Sequence, residues 1–80
     1  MIMELEDFIK NFAEQFDETD SSVFTAETIY RDLDEWSSLI ALCVVVMVEE
    51  EYDVELRGDD IRNALTIEDL FNTVKSKKQQ

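Results

Sequence analysis

Ten successive apolar residues, Leu39 to Val48, run without glycine or proline and pass directly into Glu49, Glu50, Glu51 and Tyr52. Periodicity alone does not classify such a run, and Val44, Val45, Val46 and Val48 favour a strand. Length decides for helix, because the uninterrupted segment from Leu39 to Tyr52 is too long for an ordinary strand and begins beside Ser37 and Ser38. Ala41, Val44, Val45, Val48 and Tyr52 then fall at i, i+3, i+4, i+7 and i+11, and this face is expected in the core. Ile40, Cys43, Val46, Met47 and Glu50 form a second stripe, expected to face outward. A helix apolar on two faces is either central or offers one face to a partner. At its start, one of the two serines can cap unpaired backbone N–H groups. The helix dipole there favours an attached or bound phosphate, so a serine at that end is well placed to carry a phosphodiester.

The flanking sequence predicts three further helices around this one. Leu5, Phe8, Ile9, Phe12 and Phe16 recur at helical spacing, which predicts a first helix over residues 3–16 with an aromatic core stripe. Asp17 to Ser37 is dense in Asp, Ser and Thr and reads as a long loop, anchored by Val23, Phe24, Ile29, Tyr30 and Leu33, with a single turn at Thr25-Ala26-Glu27. Trp36 is expected to close that loop over the end of the second helix. Asp53 to Leu56 alternates, which turns Val54 and Leu56 inward, and residues 59–63 suggest one short helical turn after Gly58. Thr66 and Asp69 have capping-box spacing for a last helix that buries Ile67, Leu70, Phe71 and Val74. Residues 75–80 are expected to be a frayed tail. The fold class is therefore all-α, a single domain over residues 1–80, with three longer helices, one short one and a long loop between the first two.

Charge and residue types exclude several functions. The chain carries −13 overall, and before residue 75 four bases face twenty acids. A domain of that charge is a poor ligand for nucleic acid, whereas basic partner proteins suit it. One cysteine and no histidine rule out a disulfide framework, the usual zinc clusters and a serine–histidine triad. Cys43 reads as a small apolar residue. The segment from Asp53 starts like a calcium loop but has Arg57 at its fifth position and Ala64 at its twelfth, where oxygen ligands belong, so no metal site is expected. The ten-residue apolar run is about half a membrane span. With no secretory signal expected, the cytoplasm is the expected location, and a monomer the expected state.

Two segments carry a family resemblance. Tyr30-Arg31-Asp32-Leu33-Asp34-Glu35-Trp36-Ser37-Ser38-Leu39, followed by Glu49-Glu50-Glu51-Tyr52-Asp53-Val54-Glu55-Leu56, resembles the acyl carrier protein family, whose pattern is Asp-Ser-Leu before a helix that ends in an acidic-aromatic run. The resemblance implies a four-helix bundle of the acyl-carrier type. It selects Ser38 over Ser37, because the family's modified serine precedes leucine and stands eleven residues before the acidic run. It further implies 4′-phosphopantetheine on Ser38, whose thiol holds an acyl group as a thioester, as in fatty acid or polyketide biosynthesis. The implied partners are a phosphopantetheinyl transferase and acyl-loading and acyl-accepting enzymes. These would read Trp36, Ser37, Leu39, Ile40, Cys43, Val46, Met47, Glu49 and Glu50, and the chain itself would not be an enzyme. Ser37 stands where the family usually has aspartate, and Cys43 where several members have an acid. Residue chemistry alone leaves a second reading open, an acidic helical adaptor that uses the same outer stripe without a prosthetic group.

Overall fold

A computed structural model describes residues 4–79. The helical start expected at Met3 and the last tail residue, Gln80, lie outside the described residues. Four α-helices are present among the described residues, α1 (Leu5–Ala13), α2 (Ser38–Tyr52), α3 (Gly58–Asn63) and α4 (Ile67–Lys78). Single 3-10 turns occupy Ser21–Val23 and Tyr30–Asp32 in the long α1–α2 connection. The small helical bundle expected from the hydrophobic spacing is what forms.

Aromatic rings make the centre. Phe8 and Phe12 of α1 are fully enclosed, and Phe12 contacts Phe16, Phe24, Tyr30 and Trp36 with ring centroids 5.5 to 6.4 Å apart. Phe8 reaches across to Phe71 of α4 at 5.5 Å and to Tyr52 of α2 at 5.7 Å. Val44 and Val48 of α2 and Ile67, Leu70 and Val74 of α4 complete the packing, each with its side chain out of water. Fully burying one such side chain contributes about 1.5–3 kcal/mol, which is how a chain with this much self-repulsion holds a fold.

The helix ends follow local chemistry. Glu4 supplies no side-chain cap to α1, and beyond Ala13 the chain tightens through Gln15 N to Phe12 O (3.1 Å) and Phe16 N to Ala13 O (3.0 Å). The helix is therefore shorter than the spacing predicts, yet that turn still delivers Phe16 to the core. Asp53 closes α2 in the left-handed region at φ 56°, donating its N–H to Glu49 O at 3.1 Å, a place where glycine is usual and aspartate is tolerated. Thr66 and Asp69 form the expected reciprocal cap of α4, at 3.1 and 3.2 Å. The segment expected to fray from residue 75 is instead helical to Lys78. The Lys77 ammonium, 2.9 Å from the Asp60 carboxylate, ties that last turn to α3.

The loop is fastened by its backbone more than by its apolar side chains. Phe24 and Tyr30 are buried and Leu33 packs on the core, as expected, but Val23 and Ile29 are exposed and are not anchors. Ile29 instead makes an isolated antiparallel bridge with Thr66, and the Thr28 and Ala26 carbonyls accept the N–H groups of Ile67 and Glu68 at 3.1 and 3.0 Å. The first N–H groups of α4 thereby find partners in the loop. The turn expected near Thr25 is present, closed by Thr28 N to Thr25 O at 3.2 Å.

Candidate functional site

Glu35 sets the approach to α2. Its carboxylate accepts from the backbone N–H groups of Asp17 (2.8 Å), Glu18 (3.1 Å) and Thr19 (3.0 Å) and from the Thr19 hydroxyl (2.7 Å). The Thr19 hydroxyl above all, with those three amides, holds the Glu35 carboxyl below its ordinary value. One side chain thus joins the two ends of the loop. Trp36 then packs against the aromatic centre, stacked 6.4 Å from Phe12 of α1 and tilted 4.9 Å from Tyr30, so the contacts it makes close the loop against α1.

The two serines divide the work at the helix start. Ser37, in extended conformation, is the N-cap. Its Oγ accepts the Ile40 N–H at 3.2 Å and its carbonyl accepts the Ala41 N–H at 2.9 Å. Ser38 is the first helical residue, exposed, and its hydroxyl makes no hydrogen bond among the described residues. Chemically it is a free primary hydroxyl on a rigid support. The chain has no imidazole to deprotonate it, and the arginines nearby do not accept protons.

The rest of the helix surface differs from the outer stripe expected from sequence. Met47 is 6% exposed and belongs to the core, so it is no part of an outer surface. Ile40 and Cys43 are half-buried, Ile40 against the core. Leu39 (68% exposed), Leu42 (58%) and Val46 (48%) form the apolar stripe that water meets, with Glu49 and Glu50 exposed at its far end. On the core side, Val44 and Val48 are buried as expected and Ala41, Val45 and Tyr52 half-buried. The rotation has a physical cause: α2 is apolar all round, so spacing fixes its period and leaves the direction of its buried face undetermined. Leu42 was legible in principle, lying three residues after Leu39 and four before Val46.

Two clefts flank α2. One, of ≈ 430 Å³, lies against α1 and has acidic walls from Glu14, Glu50 and Glu51 around Leu42 and Val46. The other, of ≈ 690 Å³, runs between α2 and α3. Ser37 and Ser38 line it together with Trp36, Val45, Leu56 and Ile61, and two arginines, Arg31 and Arg62, stand in its wall. Its volume falls within the range of small-molecule sites.

Tyr30 and Arg31 fix that second cleft. The enclosed Tyr30 hydroxyl donates to the carbonyls of Ile61 (2.5 Å) and Ala64 (3.0 Å), and burial pushes its pKa up to about 12. The Arg31 guanidinium donates to Arg62 O (2.9 Å) and Ala64 O (3.1 Å). Together they satisfy carbonyls at the C-terminal end of α3 and hold that short helix opposite α2. None of these contacts was visible in the spacing of residues. Among the described residues, no group of three or more His, Cys, Asp or Glu side chains is placed to hold a metal ion, and no helix is long and apolar enough to cross a membrane. No family model, curated protein or solved structure matches the chain.

Proposed function

We propose that this chain is a carrier protein of the acyl carrier type, modified on Ser38 with 4′-phosphopantetheine. The observation that carries this reading is the division of labour between the serines. Ser37 satisfies the helix, and Ser38 is left exposed with an unengaged hydroxyl at the mouth of a cleft. The donor chemistry fits the group, because a phosphodiester at this position meets the positive end of α2 and an arginine-bearing wall. When bound, the group supplies a thiol that holds an acyl chain as a thioester.

The departures from the family pattern are tolerable in physical terms. Serine and aspartate are both strong N-caps, so Ser37 keeps the cap that aspartate would provide. Leu39, Leu42 and Val46, with Glu49 and Glu50 beyond them, form a partner surface with an apolar strip and an acidic end, suited to a transferase and to acyl-loading and acyl-accepting enzymes with apolar and basic patches. Met47 drops out of that surface. We place the protein in the cytoplasm as a monomer that serves as a cosubstrate and is not itself a catalyst.

Incubation with coenzyme A and a broad-specificity phosphopantetheinyl transferase should add one phosphopantetheine mass, lost in Ser38→Ala and kept in Ser37→Ala. Wild-type protein that stays unmodified, or a Ser38→Ala variant that is still modified, overturns the proposal. The exposed Leu39–Leu42–Val46 stripe specifically favours the second reading, an adaptor that binds a partner groove without any prosthetic group, and an unmodified but partner-binding protein would establish it.

A further inference from the structure

We infer that Arg31 is the residue that receives the negative charge on Ser38, drawing the root of the attached arm over the α2–α3 cleft, whose rim includes Leu42. The inference rests on the carrier reading and goes beyond it by assigning a role to a residue that otherwise only braces the fold.

The argument starts from charge. A phosphodiester adds a further negative charge to a chain of net −13, on a residue that follows Asp34 and Glu35 closely. Among the residues that line the cleft with Ser38, the cations that can attract that charge are Arg31 and Arg62. Arg62 already pairs with Asp59. Arg57 pairs with Glu55 and Lys77 with Asp60, at 3.7 and 2.9 Å. Arg31 pairs with no carboxylate among the described residues. Its two anchoring bonds go to neutral carbonyls of Arg62 and Ala64, which fix the guanidinium in place without cancelling its charge. Two bonds also leave N–H donors in a planar fork to spare, a geometry that fits phosphate oxygens. A guanidinium held by two carbonyls and paired with no carboxylate among the described residues, in the same cleft as the modified hydroxyl, is the complement of a tethered anion, because the tether removes the entropy cost of bringing the two together. Beyond it, Trp36, Val45, Leu56 and Ile61 supply apolar wall for the adjoining carbon chain of the arm.

The test uses the full chain, modified by the transferase with coenzyme A. In wild type, the Arg31 side-chain 15N resonances should shift on modification while those of Arg57 stay in place. The 31P line of the modified protein should be displaced from that of a short phosphopantetheinylated peptide carrying the same serine. Raising the salt to about 1 M, where the screening length is about 3 Å, should move that line toward the peptide position. Arg31→Gln should place it there at low salt. Arg31 and 31P resonances that match the unmodified protein and the peptide overturn the inference while leaving the carrier reading intact. Failure to add the group overturns both. The wild-type resonances decide the matter even if Arg31→Gln folds poorly for want of its two carbonyl contacts.

Discussion

Replacing Tyr30 with phenylalanine should destabilise the protein by about 2 kcal/mol, and the structure says where that figure comes from. The ring stays, so its packing against Trp36 and Phe12 is kept. What goes is a hydroxyl, enclosed in the core, that donates to Ile61 O and Ala64 O. Ala64 O retains the Arg31 guanidinium, whereas Ile61 O loses its side-chain donor. The net value of a hydrogen bond is about 0.5–1.5 kcal/mol, and a buried acceptor left unpaired costs about 1–3 kcal/mol, which together set the expected figure. A domain of this length shifts its Tm by about 4–8 °C per kcal/mol, so the melt should fall by about 8–16 °C. Thermal and urea melts followed through Trp36 fluorescence and far-UV circular dichroism would measure it, with an unchanged urea slope showing that the variant still unfolds as one unit. A second observable has a definite sign. Burial disfavours the tyrosinate, so the unfolded chain ionises near pH 10 while Tyr30 in the fold holds its proton to about 12. Its contribution is complete below pH 10 and is lost as pH rises through 12, and Tyr30→Phe should flatten that alkaline decline. Tyr52, whose pKa burial also raises, leaves a residual slope. A Tm within about 2 °C of wild type together with an unaltered alkaline slope would refute the assignment of Tyr30 as the brace of α3.

Two further outcomes are expected. Met47→Glu places a carboxylate in the core and should cost several kcal/mol, enough to unfold much of a small domain, whereas Leu42→Glu should change stability by about 0.5 kcal/mol or less and weaken partner binding; equal melting losses would reverse the face assignment of α2. Glu35 is held ionised by Thr19 and the amides around it, so its stabilisation is present above the ordinary carboxylate pKa and is lost as pH falls through its lower folded value. Asp60 behaves alike, because the Arg57 amide and Lys77 outweigh its burial. Glu35→Gln should therefore make acid unfolding shallower, and an unchanged acid limb would remove Glu35 as the loop fastener.

How much of this was legible in the sequence depended on whether the signal was local. Phe8, Phe12, Ile67, Leu70 and Val74 were readable because a polar opposite face fixed the direction of burial. The cap formed by Thr66 and Asp69 was readable because both partners lie within one turn. On α2 no polar face orients the helix, so spacing alone points Met47 outward although its side chain is buried. Ser38 was marked by its place before leucine, but the assignment of the cap to Ser37 needed the backbone conformation. The cleft was invisible because Arg31 and Arg62, far apart in the chain, meet only when α3 docks. Glu35 was hidden in the same way, its partners lying sixteen to eighteen residues upstream.

That last contact makes residues 17–35 a closed ring, with Asp17, Glu18 and Thr19 clasped by Glu35 and the far side stitched to α4 at Ala26, Thr28 and Ile29. A ring pinned on both sides confines the consequences of change to the arc between the pins. Extra residues inserted near Ser22 would lengthen that arc alone, at about 0.6 kcal/mol for each doubling of its length. A single protease cut there would leave two fragments that still embrace the same aromatic centre.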